Sequence, residues 1–476
     1  MNQKNTPSAR RMGLWLPYKT YALPAAAFTA ALSFVAYIPL ARMFPEPQVR
    51  GLYVLGLLCA GLTAPALLFE KKSVPMWILL LDLAWLVMSR CLLGKALFYY
   101  SPSFRLTLIG CAFFIGGACL PQKQRDTLWK LVTLELAAIL TVWALLGVMT
   151  AFTGHSMPGA EKIYLRVDDY VPSLVSLTFF FLHRNITSMY FVCAAGMLLV
   201  TCMRSRKRIW TLAAVLLLPL WYLVIALQHS RGGYLASAVL ITLSLAAFLL
   251  KGRKLCETPP GKAALACVLT LCLVLSYKSF DVCSDLFVFL SRQAGRPPVS
   301  AAAETADRTV LSDGLDGQTV LMIADDRSTL RDAQTLTGRT KIWKAGLSAI
   351  RKDPRIALIG QEEETAMLAV NAELRTYAEH MHNVLMEQLI VAGVPGMLLC
   401  AVFLLYLLWL GARCFLRRPD ELRLAPSILA AFLAALMVHG ILEPLLSQFS
   451  PLPSVLLCLA AGNLTSELLE EEDARP

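Results

Sequence analysis

The chain carries a polar, histidine-bearing run, Ala378-Glu379-His380-Met381-His382-Asn383, that passes straight into an apolar segment beginning at Val384. An imidazole has an unperturbed pKa near ~6.5 and so accepts a proton at neutral pH. Two arginines stand in comparable settings, Arg231 in Gln228-His229-Ser230-Arg231-Gly232-Gly233 and Arg339 in Thr337-Gly338-Arg339. A guanidinium keeps its charge, and its planar fork donates two parallel hydrogen bonds to a phosphate. One base and two permanent cations suit transfer chemistry with a diphosphate leaving group. The base takes the proton of an attacking hydroxyl, and the cations stabilise charge on the departing oxygen.

Each of these residues also has a plainer reading. Asn383 is placed to N-cap the following helix and so to fix its neighbour His382, but His-Asn can equally be a cap and nothing more. Arg231 lies in a tight turn whose Gly232 and Gly233 let backbone approach a ligand; the alternative is an arginine that snorkels to the interface. Arg339 opens an amphipathic stretch, where with Lys341, Lys344 and Trp343 it can instead face lipid headgroups. Glu443, in Leu442-Glu443-Pro444, is a rare acid near a membrane boundary. It either pairs with an arginine or orients an imidazole, or is a simple loop acid. His155 and His183 read as structural or solvated. The pairs Asp168-Asp169 and Asp325-Asp326 lack a supporting ligand set, and no Walker loop, dinucleotide fingerprint or HExxH occurs. No metal or other cofactor is expected.

These residues need elements to hold them, and the composition says which. The chain has 476 residues, of which 57% are hydrophobic and 16% charged, with mean hydropathy +0.59. That combination excludes an ordinary soluble domain. Apolar runs of about 17–25 residues cross a bilayer as helices, because backbone groups in hydrocarbon must be satisfied internally. The expected fold is all-α: a polytopic bundle of twelve spans at 21–41, 51–69, 74–88, 106–120, 131–152, 186–203, 210–227, 233–250, 263–280, 384–410, 425–441 and 451–464. The third span can extend into Cys91-Leu92-Leu93, and 171–182 is too short to cross, so it is expected in the interface or re-entrant. No cleaved leader is expected.

The net charge of +11 does not point to nucleic acid, because the basic residues sit in short clusters between apolar runs. Lys71 and Lys72, Lys123, Arg125 and Lys130, Arg204 to Arg208, Lys251 to Lys262 and Arg413 to Arg423 fall on one side, outnumbering those of the short loops opposite. By the positive-inside rule both termini are cytoplasmic. The 13 cysteines are scattered and read as packing residues; Cys91 and Cys283 can both reach the outer face, where they could pair.

The expected organisation is spans one to nine over 1–280, a large extracytoplasmic loop over 281–383, and spans ten to twelve with a cytoplasmic tail over 384–476. Within the loop, 295–337 is polar and weakly structured by composition. Residues 339–351 place Ile342, Trp343, Leu347 and Ile350 on one helical face, and 362–380 offers a second amphipathic helix with Met367, Leu368, Leu374 and Tyr377. Two such helices can lie over the bundle as a lid.

In order along the chain, Ser230-Arg231-Gly232, the Gly338-Arg339-Thr340-Lys341-Ile342-Trp343 segment and His380-Met381-His382-Asn383-Val384-Leu385 resemble the O-antigen ligase superfamily. Ala392-Gly393-Val394-Pro395-Gly396 is similar to that family's next turn, and His183-Arg184-Asn185 to a looser position. The likeness covers roughly 171–396. It implies a glycosyltransferase of the bacterial inner membrane, working on the extracytoplasmic face without a metal. The donor would be a glycan on a polyprenyl (undecaprenyl) diphosphate, and the acceptor a hydroxyl on a glycan, glycolipid or protein. By the same resemblance His382 is the base and Arg231 and Arg339 bind the diphosphate. Asn383, His380 and Glu443 complete the substrate site, and the anomeric centre is inverted. The rival within the superfamily is a polymerase of lipid-linked repeat units. A transporter, the rival outside it, predicts charges deep in the spans and symmetric halves, neither of which is apparent. The segment 354–361 departs from the family by lacking a Gly-x-Gly after Pro354.

Overall fold

A computed structural model of the chain describes residues 74–94, 102–153, 163–167, 175–179, 184–205, 207–251, 259–293, 336–374, 378, 380–415, 423–446 and 451–473, with positions 20, 24, 54 and 58. The first two expected spans, the polar stretch 295–335, both aspartate pairs, His155, His183 and Tyr377 lie outside the described residues. In chain order the elements are α1 (Val74–Leu92), α2 (Pro102–Ala118), α3 (Gln122–Thr153), β1 (Ile163–Val167), β2 (Val175–Phe179), α4 (Arg184–Ser205) and α5 (Arg208–Leu227). They continue with α6 (Arg231–Leu250), α7 (Pro259–Gln293), α8 (Leu336–Lys352), α9 (Arg355–Ile359), α10 (Glu363–Leu374), α11 (Val384–Phe415), α12 (Leu424–Leu442) and α13 (Pro451–Asp473).

Eight of these helices, α1, α3 to α7, α11 and α12, are long and apolar enough to cross a bilayer. The protein is a polytopic membrane protein. Its centre is set by α4 and α12, whose apolar windows are 83% and 72% buried, whereas that of α7 is only 6% buried. Leu271, Val274 and Leu275 on α7 and Leu212, Val215 and Leu216 on α5 are exposed, as expected of a lipid-facing surface. The shorter α2 packs along α13. Helix α7 continues past Phe280 to Gln293 without a break, so the large loop begins as an extension of a span. Cys91 and Cys283 are both free thiols.

Two expectations about short segments are refined. Within the stretch 171–182, expected in the interface or re-entrant, Val175–Phe179 forms a strand that pairs antiparallel with Ile163–Val167, with Ile163 opposite Phe179. Pairing satisfies the backbone that a short apolar run would leave open, and Phe179 stacks on Trp143 of α3 at 5.6 Å. In the loop, α8 buries Ile342, Ala345 and Ala349, but Leu347 is exposed. Helix α10 ends at Leu374 and buries Ala366, Met367 and Val370, while Leu368 points out. The turn of α10 is set by Glu363, whose carboxylate is hydrogen-bonded by the Ser103 backbone N–H and hydroxyl and lies 3.7 Å from the buried Arg90. At the exposed end, Lys352 and Ser348 of α8 hydrogen-bond Glu373 of α10 and hold its carboxyl below the ordinary range.

The helix that follows the histidine run is broken by its own sequence. Gly393 in α11 adopts φ 70° and ψ −174°, two residues before Pro395, which has no N–H to give. The freed carbonyls find partners: Ile390 O accepts from Gln361 N at 2.9 Å and Ala392 O from the Trp85 indole at 2.6 Å. The turn after α9 sits against this break, and Gly360 (φ 73°) is so close that a Cβ there would overlap the Val391 carbonyl. Both glycines are therefore required by backbone approach and by left-handed φ. Gly360→Ala is expected to cost about 1–2 kcal/mol for the backbone conformation alone, and more for the overlap. A lower Tm of the purified protein in detergent checks this; an unchanged Tm would contradict it.

Candidate active site

Glu443 ends α12 in an extended conformation and is wholly buried, at 0% exposure. A carboxylate removed from water must be compensated by hydrogen bonds or charge. Its Oε1 accepts from the Asn185 side-chain amide and lies 3.4 Å from Arg339 Nη2. Its Oε2 lies 3.3 Å from His382 Nδ1 and 3.7 Å from His380 Nε2. One carboxylate thus gathers residues from the starts of α4 and α8, the segment before α11, and the end of α12.

Each partner is held by local sequence. Asn383 N-caps α11, its side-chain oxygen accepting from Leu385 N and Met386 N at 3.0 Å each, and its amide donates to Ile441 O at 3.1 Å. That cap fixes His382, which takes φ 50°, a left-handed conformation uncommon outside glycine. His382 N donates to His380 Nδ1 at 3.2 Å, and the two rings lie 4.0 Å apart. A neutral His380 that accepts at Nδ1 carries its proton on Nε2, the atom facing Glu443. Met381 between them is anchored twice, its N–H on Glu387 and its carbonyl on the Trp343 indole, both at 2.8 Å. Trp343 is therefore a strut between α8 and the histidine run.

The Ser230-Arg231-Gly232-Gly233 turn reaches the same cluster through Asn185. Ser230 N-caps α6, accepting from Gly233 N at 3.0 Å, and its hydroxyl donates to Asn185 Oδ1 at 2.7 Å. Gly233 lies against Ser188, where a Cβ would overlap that side chain, so α6 and α4 meet at backbone distance. His229, also at φ 50°, stands before this cap as His382 stands before the other, with Nε2 3.1 Å from Ser284 Oγ. Arg231 itself is the first residue of α6 and its side chain is exposed.

The structure brings together Glu443, His380, His382 and Arg339, with Asn383 as their cap. The Arg231 turn is linked to them by hydrogen bonds through Ser230 and Asn185, and the Arg231 side chain is exposed. Asn185 is the participant that motif reading assigned no role. Its signal was present but faint, an amide at the start of an apolar span after His183-Arg184. His380, His382 and Glu443 also set one ligand atom each within 4.8 Å of one another, a spacing open to a metal ion. The Arg339 guanidinium beside the same carboxylate opposes a second cation there.

At the opposite end of the bundle Arg125 hydrogen-bonds Ser466, and Arg204 meets Glu467, Asn463 and Asp126. The fold and the cluster define a polytopic membrane protein with an ionisable site at one end of its helices. Residues 214–401 match the family described as O-Antigen ligase. Over that stretch the chain is similar to that family. The matched region includes Arg231, Arg339, His380, His382 and Asn383, whereas Glu443 and Asn185 lie beyond it. No curated protein matches the chain.

Glu443→Ala is expected to lower the Tm of the purified protein, because Asn185, Arg339, His380 and His382 lose the buried carboxylate they surround. Glu443→Gln keeps an acceptor for Asn185 and should recover part of that loss. An unchanged Tm in Glu443→Ala would contradict the structural role of the buried carboxylate.

Proposed function

We propose that this protein is a membrane glycosyltransferase of the O-antigen ligase type. It moves a glycan from a polyprenyl (undecaprenyl) diphosphate to an acceptor hydroxyl on a glycan, glycolipid or protein. The observation that carries the reading is the single buried Glu443 lying within ion-pair distance of both an imidazole and a guanidinium. With Glu443 beside Nδ1, His382 is directed to hold its proton on that nitrogen and to accept at Nε2. The acceptor oxygen attacks the anomeric carbon, its proton passes to His382 Nε2, and the bond from that carbon to the diphosphate oxygen breaks. The electron pair leaves with the diphosphate, whose charge Arg339 and Arg231 stabilise. Attack opposite the leaving group inverts the anomeric centre.

Such a site serves a donor delivered from the lipid, and the basic clusters at the far end of the bundle favour an extracytoplasmic site with both termini inside. The bacterial inner membrane is the compartment where such donors occur. No metal has a place in these steps, and a chelator is expected to leave the rate unchanged; a stoichiometric, rate-restoring metal would overturn that part. The second reading, polymerisation of lipid-linked repeat units, uses the same donor chemistry and is favoured equally by the family match.

Purified protein supplied with polyprenyl-diphosphate glycan, with and without candidate acceptors, separates the two. Transfer only to a different acceptor supports the ligase, and growth of the donor glycan alone supports the polymerase. In either assay His382→Ala should abolish transfer while membrane insertion stays normal. Arg231→Lys should be strongly impaired, because an ammonium does not reproduce two-pronged phosphate binding. Near wild-type transfer by His382→Ala would remove the proposal.

A further inference from the structure

A groove of about 600 Å³ opens between α3, α4 and α5, at the end of the bundle away from Glu443. Its walls include Leu134 and Ala138 of α3, and Trp210 of α5. Lys130, Lys207 and Ser205 line it as well. Neither ammonium makes an ion pair among the described residues, while the nearby carboxylates of Glu467 and Asp126 are engaged by Arg204. The Ser205 hydroxyl is buried and has no hydrogen-bond partner among the described residues. Helix α5 begins beside it at Arg208, and its N-cap, Lys207, supplies no side-chain cap. Uncapped N–H groups at a helix start, together with the helix dipole, attract phosphate.

We infer that this groove binds one anionic phospholipid. The phosphodiester sits between Lys130, Lys207, the Ser205 hydroxyl and the first N–H groups of α5. An acyl chain runs along Leu134 and Ala138. The dimensions agree with a single leaflet: from Lys130 to Thr141, the limits of the groove on α3, a helix rises about 16 Å. Half of a hydrocarbon core is roughly 15 Å. Two unengaged lysines select a net negative headgroup over a zwitterionic one, since basic pockets between spans favour anionic lipid. This site is separate from the histidine cluster and does not depend on the reaction proposed for it.

The test is lipid binding to the delipidated full-length protein in detergent, followed by native mass spectrometry and Tm. Phosphatidylglycerol is expected to bind at about one molecule per chain and raise Tm, with phosphatidylcholine bound about tenfold or more weakly. Lys130→Gln with Lys207→Gln should weaken phosphatidylglycerol to the phosphatidylcholine level. Ala138→Trp, which keeps both charges and fills the groove, should also displace it. Inorganic phosphate alone should leave Tm unchanged. Equal binding of the two lipids by the wild type would overturn the proposal whatever the variants do. So would binding undiminished by either set of substitutions, stabilisation by phosphate alone, or displacement of the phospholipid by a polyprenyl phosphate.

Discussion

A carboxylate without access to water is the constraint on which this end of the molecule depends. Glu443 is at 0% exposure, and leaving such a group uncompensated is far more costly than any single contact around it. Its two oxygens are therefore met by an amide, a guanidinium and two imidazoles. Those groups come from positions 185, 339, 380 and 382, which only the folded bundle brings together. The same arrangement that neutralises the charge also orients His382 and sets a guanidinium beside it.

The second support is the broken helix. If α11 ran straight through residue 393, the carbonyls of Ile390 and Ala392 would stay in the helical ladder and the loop would have nothing to grip. The break at Gly393 frees them for Gln361 and Trp85, and Gly360 lets the loop backbone come within touching distance. From there the chain runs to Glu363, pinned by Ser103 and Arg90, and on to α10. The loop helices are thus fastened to α1, α2 and α11 on one side. Through Trp343 they are fastened to the histidine run on the other.

Much of this was legible in the chain. Hydropathy marked the eight helices long and apolar enough to cross, because bilayer thickness and backbone satisfaction leave such runs few alternatives. The order of the Ser-Arg-Gly, Gly-Arg and His-x-His-Asn motifs marked the family, and the family match covers that stretch. Asn383 was readable as a cap because capping is local. What was not readable is non-local. That Asn185 would bridge Ser230 and Glu443 depends on how α4, α6 and α12 pack, which periodicity does not encode. The exposed Leu368 reflects a helix rotated by Glu363, a buried acid whose partners lie 260 residues away at Ser103. The β1–β2 hairpin was hidden for a related reason, since an apolar run beside a membrane pairs only if a partner strand happens to lie alongside. Arg204, counted toward topology, also holds α4 to α13 through Glu467 and stacks over Trp129 at 5.0 Å.

The most direct examination is a cryo-electron microscopy structure of the protein with a non-transferable polyprenyl diphosphate donor. The account places the diphosphate on Arg339 and Arg231, with the anomeric carbon facing His382 across a gap that admits a hydroxyl. Density for the diphosphate at any other part of the bundle, with Arg339 and His382 unaltered and unoccupied, would contradict it.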